Sequence, residues 1–193
     1  MKTMNLRTFR GWAFRMRGGI WTALALLLLC LGNGGSGWIV PGIFLVVLGQ
    51  GIRFWAAGTI EGYRSENVNA NALVTWGPYG IVRNPLYLGN GLIGLGWSLM
   101  AGPLAVLLFL FAFFLLYCFL IIPYEESFLE EQFGQKYIDY RKSTPRLFPF
   151  RFPGRNRLQG PFQKSRLWKS ERHSLYVTAL GTVLFLLKSL EVF

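Results

Sequence analysis

From Leu86 to Ile122 the chain runs for thirty-seven residues without one Asp, Glu, Lys or Arg. Wound as a single α-helix, that stretch would extend about 55 Å at roughly 1.5 Å per residue. The hydrocarbon layer of a bilayer is only about 30 Å thick. The run therefore has to double back, and Ala101-Gly102-Pro103 near its middle supplies the residues of a turn. The result is a helical hairpin, with arms over 86–101 and 104–122 and both outer ends on one side of the membrane.

Three further apolar stretches have the length or the flanks of membrane segments. Residues 18–31 follow five basic residues, Lys2, Arg7, Arg10, Arg15 and Arg17. Residues 38–57 carry Pro41, Gln50 and Arg53 inside an apolar run. Residues 174–190, with an apolar centre at Leu175–Leu187, are long enough to span with help from their flanks or to lie in the interface. The expected fold is all-α: one polytopic membrane domain over 1–193, with about five transmembrane helices. A cytoplasmic C-terminal segment of helix and loop completes it. The polar stretches are 58–85 and 124–173; the latter opens after Pro123 with a helical pattern at Leu129, Phe133, Tyr137 and Tyr140. Composition agrees, since 52% of residues are hydrophobic and only 15% charged. Seven Trp and seventeen Phe suit a chain that meets bilayer interfaces.

Alternation of the five segments puts 19 of the 20 Lys and Arg on one face, counting Arg53 near the end of its run, with Lys188 opposite. The positive-inside rule makes that face cytoplasmic, so the N-terminus and both polar segments are expected in the cytoplasm. The net charge of +11 then has anionic lipid headgroups as its natural counter-charge, with RNA as the alternative and no nucleic-acid partner expected. The tail 145–172 interleaves Arg and Lys with Phe148, Phe150, Phe152, Phe162 and Trp168, the pattern of a surface lying on an anionic leaflet or roofing a pocket. Cys30 and Cys118 both fall in apolar runs, where thiols pack rather than pair. Leu29 precedes Cys30 where a lipoprotein signal needs a small residue, so the first segment reads as a retained anchor. One His, His173, and no Cys/His cluster leave a metal site unexpected.

The stretch GPYGIVRNPLYLGNGLIGLG (77–96) contains G-x-G-x-x-G at Gly89–Gly94. A dinucleotide turn needs a preceding strand and an acid about twenty residues on. Here Pro85 interrupts the preceding residues and no acid appears before Glu125. Close helix packing fits better: Asn90, Gly94, Ser98 and Gly102 recur every four residues as small positions. Before them stands Arg83-Asn84-Pro85, where Pro85 presets the first turn of a helix. Arg83 in such a place can anchor to lipid phosphate and Tyr87 can join an aromatic belt. The hairpin, however, brings the other end, Pro123-Tyr124-Glu125-Glu126, beside it. Acids in that first turn can serve the helix dipole, or they can close a polar pocket with Arg83 and Tyr87.

Two motifs carry a resemblance. NALVTWGPYGIVRNPLYLGN is similar to the pattern L-V-x-x-G-x-Y-x-x-x-R-[HN]-P-x-Y-x-G, and EESFLEEQFGQKYIDYRKSTPRLFP to E-E-x-x-L-x-x-x-F-G-x-x-Y-x-x-Y. In that order, across an uncharged hairpin, they resemble the integral-membrane methyltransferases of the isoprenylcysteine carboxyl and phospholipid methyltransferase family over about 48–150. The resemblance implies S-adenosylmethionine as methyl donor, held on the cytoplasmic side without a Rossmann domain. It implies donor contacts from Asn71, Ala72, Leu73, Val74, Tyr79, Arg83, Asn84, Pro85, Leu86, Tyr87 and Glu125. Arg146 and Glu126 become the candidates for work at the reacting centre, with a lipophilic acceptor entering from the membrane lipids. Many members carry His where Asn84 stands, which leaves a side-chain role there open. The prenylcysteine enzymes place Arg at the position of Ile121, which argues against a prenylcysteine carboxylate as acceptor; Arg146 matches microbial members better.

The residues suit this chemistry. Methyl transfer from a sulfonium is an in-line displacement with a good leaving group, catalysed mainly by positioning in a site shielded from water. Basic groups or backbone N–H can take the donor's carboxylate, Glu125 its ammonium or diol, and Tyr79 or Tyr87 can offer a ring face. Arg141 and Arg146 can orient an anionic acceptor. Two alternatives stand beside it: an NADPH-dependent sterol or enone reductase, similar near the R-x-P-x-Y turn, and a non-catalytic membrane scaffold.

Overall fold

The computed structural model describes residues 6–33, 36–60 and 72–191. Within them the chain is helical, with no strand: α1 (Leu6–Leu31), α2 (Ile39–Thr59), α3 (Pro78–Ile81), α4 (Pro85–Ala101), α5 (Pro103–Phe113), α6 (Ile122–Phe133), α7 (Gln135–Ser143), α8 (Arg155–Leu158) and α9 (Lys164–Ser189). A π-helical stretch, Phe114–Ile121, joins α5 to α6 without a break, so the second hairpin arm is one long rod. Three helical stretches are long and apolar enough to cross a membrane: Thr8–Leu31, Ile39–Thr59 and Pro103–Phe133. Arm one, α4, has 17 residues, about 25 Å of helix.

The turn of the hairpin is tight. Helix α4 ends at Ala101 and α5 starts at Pro103, leaving only Gly102 between them at φ 115°. That left-handed value suits glycine, and Pro103 fits a first helical position that needs no N–H donor.

Helices α2 and α4 cross antiparallel at backbone contact. A Cβ on Gly49 would lie 2.6 Å from the Gly89 carbonyl oxygen, and one on Gly42 would lie 2.8 Å from that of Gly96. The seven-residue spacing on both helices puts each glycine pair on one stripe. In lipid, where apolar burial drives little association, such close backbone packing is what holds helices together. The small positions of α4 therefore divide differently from the expected four-residue stripe. Gly89 and Gly96 meet α2, while Gly91 and Gly94 receive the rings of Phe113 and Phe109 from the α5 rod. Ser98 donates to the Gly94 carbonyl at 2.6 Å. Asn90 is not a packing residue at all; it joins a polar chain described below.

The remaining contacts set which helix ends are neighbours. Phe14 near the start of α1 packs on Tyr124 at the start of α6, ring centroids 5.6 Å apart, and Asn33 just past its end donates to the Ala101 carbonyl at 3.0 Å. On α9, Glu171 pairs with Arg53 near the end of α2, and Thr182 accepts from the Trp97 indole of α4 at 3.0 Å. One end of the bundle thus collects the start of α1, the end of α2, the start of α4, α6 and the start of α9. Between the helices lies an aromatic core of Phe14, Tyr87, Phe109, Phe113, Tyr117 and Phe185. The outward faces stay apolar, with Val40, Phe44, Val47, Leu107, Phe111 and Phe119 exposed. Cys30 and Cys118 are free thiols.

Two boundaries move. Helix α1 begins well before residue 18, because its basic turns continue the same helix toward Tyr124. Helix α9 begins at Lys164 instead of 174. Its polar first half is a helix seated on α2.

Candidate functional site

The site grows from the residues that leave α3 and enter α4. Val82 is extended, and the chain after it pairs with the segment after α7: the Arg83 N–H donates to the Pro145 carbonyl at 2.8 Å and the Asn84 N–H to that of Arg146 at 3.2 Å. Pro85 then opens α4, with the Asn84 carbonyl accepting from Tyr87 and Leu88. Because Pro85, Leu86 and Tyr87 are buried, their turn is a rigid mount.

Glu126 of α6 is the centre. It is 5% exposed. Its Oε1 accepts from Arg83 Nε at 3.0 Å and Nη2 at 2.9 Å, and from the Asn84 amide at 3.3 Å. Its Oε2 accepts from Arg146 Nε at 3.1 Å and Nη2 at 2.8 Å. Arg83 spends its last edge, Nη1, on the carbonyls of Arg141 (2.9 Å) and Thr144 (2.8 Å). Two guanidinium groups on one carboxylate leave a net positive charge. Arg83 is enclosed with four of its five N–H groups used, whereas the Arg146 side chain is 46% exposed and its Nη1 has no partner among the described residues. The cluster therefore presents one outward-facing cation on a fixed base, suited to an anion.

Helix α7 backs this cluster. The Tyr140 hydroxyl donates to the Tyr79 carbonyl at 2.7 Å, tying α7 to α3. Burial first, and then neighbouring Tyr79, push the Tyr140 hydroxyl well above its ordinary pKa. Tyr137, one turn earlier, is buried, and its hydroxyl has no partner among the described residues. Burial and then the Glu126 carboxylate raise its pKa, against the pull of Arg83, Arg141 and Arg146. That hydroxyl is a polar atom held among the site's charges.

Of the residues expected from sequence, Arg83, Asn84, Glu126 and Arg146 meet directly. Pro85, Leu86 and Tyr87 form the adjoining turn; Tyr79 is half-buried and tethered by Tyr140; Glu125, also half-buried, precedes Glu126 on α6. Val74 is buried and Ala72 and Leu73 half-buried on the approach to α3, while Asn71 lies outside the described residues. The role left open at Asn84 has a partner set: its amide donates to Glu126 and to the Arg146 carbonyl at 3.1 Å. Sequence reasoning passed over Tyr137 and Tyr140 as site residues, although their i, i+3 spacing places both on one face of α7. The C-terminal segment crosses above: Gly77 N–H donates to the Arg157 carbonyl at 3.0 Å, Gln163 N–H to that of Gly58 at 2.9 Å, and Phe162 covers Gly58.

Fold and site together define an integral membrane protein whose polar centre is built between the two outer ends of a helical hairpin. The chain belongs to the phospholipid methyltransferase family, whose model matches residues 38–136. The match contains Arg83, Glu125 and Glu126 but stops before Arg146. Among curated relatives, a nickel-cobalt-cadmium resistance protein of Alcaligenes xylosoxydans xylosoxydans is 35% identical over 147 residues, covering 70% of this chain and 65% of the relative. A steroid 5-alpha-reductase of Solanum lycopersicum is 33% identical over 118 residues, 58% of this chain and 43% of the relative. A protein-S-isoprenylcysteine O-methyltransferase of Arabidopsis thaliana is 30% identical over 118 residues, 56% of this chain and 58% of the relative. The chain spans less than two thirds of the length of these relatives. No solved structure matches.

Proposed function

We propose that this chain is an S-adenosylmethionine-dependent methyltransferase acting on a lipid or lipophilic small molecule at the membrane. The observation that carries the reading is the Arg83–Glu126–Arg146 cluster, which joins both motifs of the family at one end of the bundle. S-adenosylmethionine supplies an electrophilic methyl group on a sulfonium. The residues present fit such a donor: an outward cation at Arg146 or a backbone N–H for its carboxylate, the half-buried Glu125 for its ammonium or diol, and Tyr79 for a ring face. Asn71 to Val74, Tyr79 and the turn Arg83 to Tyr87 hold it. Glu126, with both oxygens committed, keeps the two arginines in place and is not the group that takes a proton. Arg146 orients the anionic part of whichever molecule it meets. Catalysis on this view is positioning and exclusion of water.

Five helices cross the bilayer in this reading: α1, α2, α4, the α5–α6 rod and α9, with the basic end in the cytoplasm. The antiparallel α2–α4 contact and the pairing of α9 with α2 support that count. Two relatives are named for metal resistance. Among the described residues no three His, Cys, Asp or Glu side chains gather, and the site is rich in cations.

A second reading, NADPH-dependent reduction, draws on the steroid reductase relative. Equilibrium binding of both ligands to the protein in lipid nanodiscs separates the two, and transfer of a labelled methyl group to a membrane lipid extract tests the reaction. Saturable NADPH binding with none for S-adenosylmethionine overturns the proposal.

A further inference from the structure

Asn90 sits five residues into α4 from Pro85, about 7.5 Å below the level of that proline. Its amide is the middle of a chain of hydrogen bonds at bilayer depth. Arg53 on α2 grips Glu171 on α9 with two parallel bonds, Nε to Oε2 and Nη2 to Oε1, both 2.9 Å. Arg53 Nη1 donates to Asn90 Oδ1. Asn90 Nδ2 donates to the Tyr117 hydroxyl at 2.7 Å. The ring of Tyr117 lies against that of Tyr87, centroids 4.6 Å apart, and Tyr87 ends the Pro85-Leu86-Tyr87 turn of the site.

The chemistry fixes the direction of every link. A guanidinium only donates, so the Asn90 oxygen must face Arg53. Its nitrogen must then donate, and the Tyr117 oxygen must accept. One buried charge pair thereby sets the orientation of an amide, a phenol and an aromatic stack. The Arg53 side chain is 13% exposed and that of Glu171 4%. A buried ion pair at this depth is a poor helix glue, because apolar residues of the same volume hold as well or better. The α2–α4 crossing already closes on glycines and needs no such help. The π-helical stretch, with Tyr117 at its middle, is a further departure from regular winding at the same spot, and such stretches gather at functional sites.

We infer that Asn90 is a positioning residue of the donor site: held by the Arg53–Glu171 pair, it fixes Tyr117, and Tyr117 holds the Tyr87 ring as a floor beneath the donor. The inference rests on the donor reading above. Its test needs no acceptor. Equilibrium binding of S-adenosylmethionine is measured by calorimetry on the full chain in lipid nanodiscs, alongside thermal unfolding. Asn90→Leu, and separately the double variant Arg53→Met with Glu171→Met, each raise the donor Kd about tenfold, a change of about 1.4 kcal/mol. Tyr117→Phe, which keeps the ring, raises it less. The double variant unfolds within a few degrees of wild type, and adding Asn90→Leu to it raises Kd no further, because the three residues act as one chain. Wild-type donor affinity in Asn90→Leu, whatever its stability, overturns the inference and leaves the network as packing. Should that variant fail to fold, unchanged affinity in the double variant and in Tyr117→Phe overturns it equally. A wild-type protein that binds no donor ends both readings; a wild type that binds with all variants equal ends this one alone.

Discussion

Replacing Glu126 by Gln removes one charge from the centre of the site while keeping its volume. The carboxylate accepts five contacts of 2.8–3.3 Å from Arg83, Asn84 and Arg146. A glutamine keeps one acceptor oxygen and turns an N–H₂ toward one of the arginines. Breaking a buried ion pair by removing one partner costs about 3–5 kcal/mol. The lower end applies here, since Arg83 keeps two carbonyl acceptors and the half-exposed Arg146 can turn to water. About 3 kcal/mol corresponds to a fall in Tm of roughly 6–12 °C for a chain of this size. The control is Glu130→Gln, whose bond to Arg141 is short at 2.6 Å but 38–42% exposed, and whose loss should stay within about 1 kcal/mol. Both variants are followed by thermal unfolding in nanodiscs, with donor binding measured in parallel. Glu126→Gln should lose both stability and donor affinity. If it unfolds no earlier than Glu130→Gln, the cluster does not organise the end of the bundle, and the account of the site is wrong.

Gly96→Leu pushes a side chain into the Gly42 carbonyl and Val46; overpacking of this kind costs about 1–3 kcal/mol or more, read as lost yield of folded protein, while Gly18→Leu, which meets nothing, folds normally. The raised pKa of Tyr137 and Tyr140 gives stability that is fully present below the ordinary tyrosine value of 10.0 and lost as pH climbs toward the folded values. Unfolding midpoints should therefore hold steady up to about pH 10 and fall above it, and the Tyr137→Phe, Tyr140→Phe pair should flatten that fall. Dialysis against a chelator should leave donor binding and methyl transfer unchanged; loss that added Zn²⁺ or Mg²⁺ restores would contradict the proposed chemistry.

The hairpin was legible because thirty-seven uncharged residues with Gly102-Pro103 in the middle allow few other solutions. The meeting of Arg83 with the Glu125-Glu126 end came with it. Which acid receives the arginines did not, since adjacent residues on a helix point about 100° apart and the π-helical stretch shifts the phase. The Tyr140 bond to Tyr79 ends on a carbonyl, a group every residue carries, so no residue type announces it. The Arg53–Glu171 pair spans 118 positions. A lone charge inside an apolar run does call for a partner, and Glu171 is the only acid between Asp139 and Glu191. The basic and aromatic residues around it outweighed that signal and suggested a surface tail.

The loosely wound turns at Phe114–Ile121 make the number of residues between the hairpin tip and Glu126 a matter of angle as well as length. Each residue of a regular helix rotates the downstream chain by about 100°. A deletion of one codon in the regular turns of α5 ahead of this stretch, with the loose turns kept as they are, would leave a rod still long enough for the bilayer. Glu126 would nevertheless face a different neighbour. Screens that score only insertion and expression would pass such a chain, although its two arginines had lost their shared anchor.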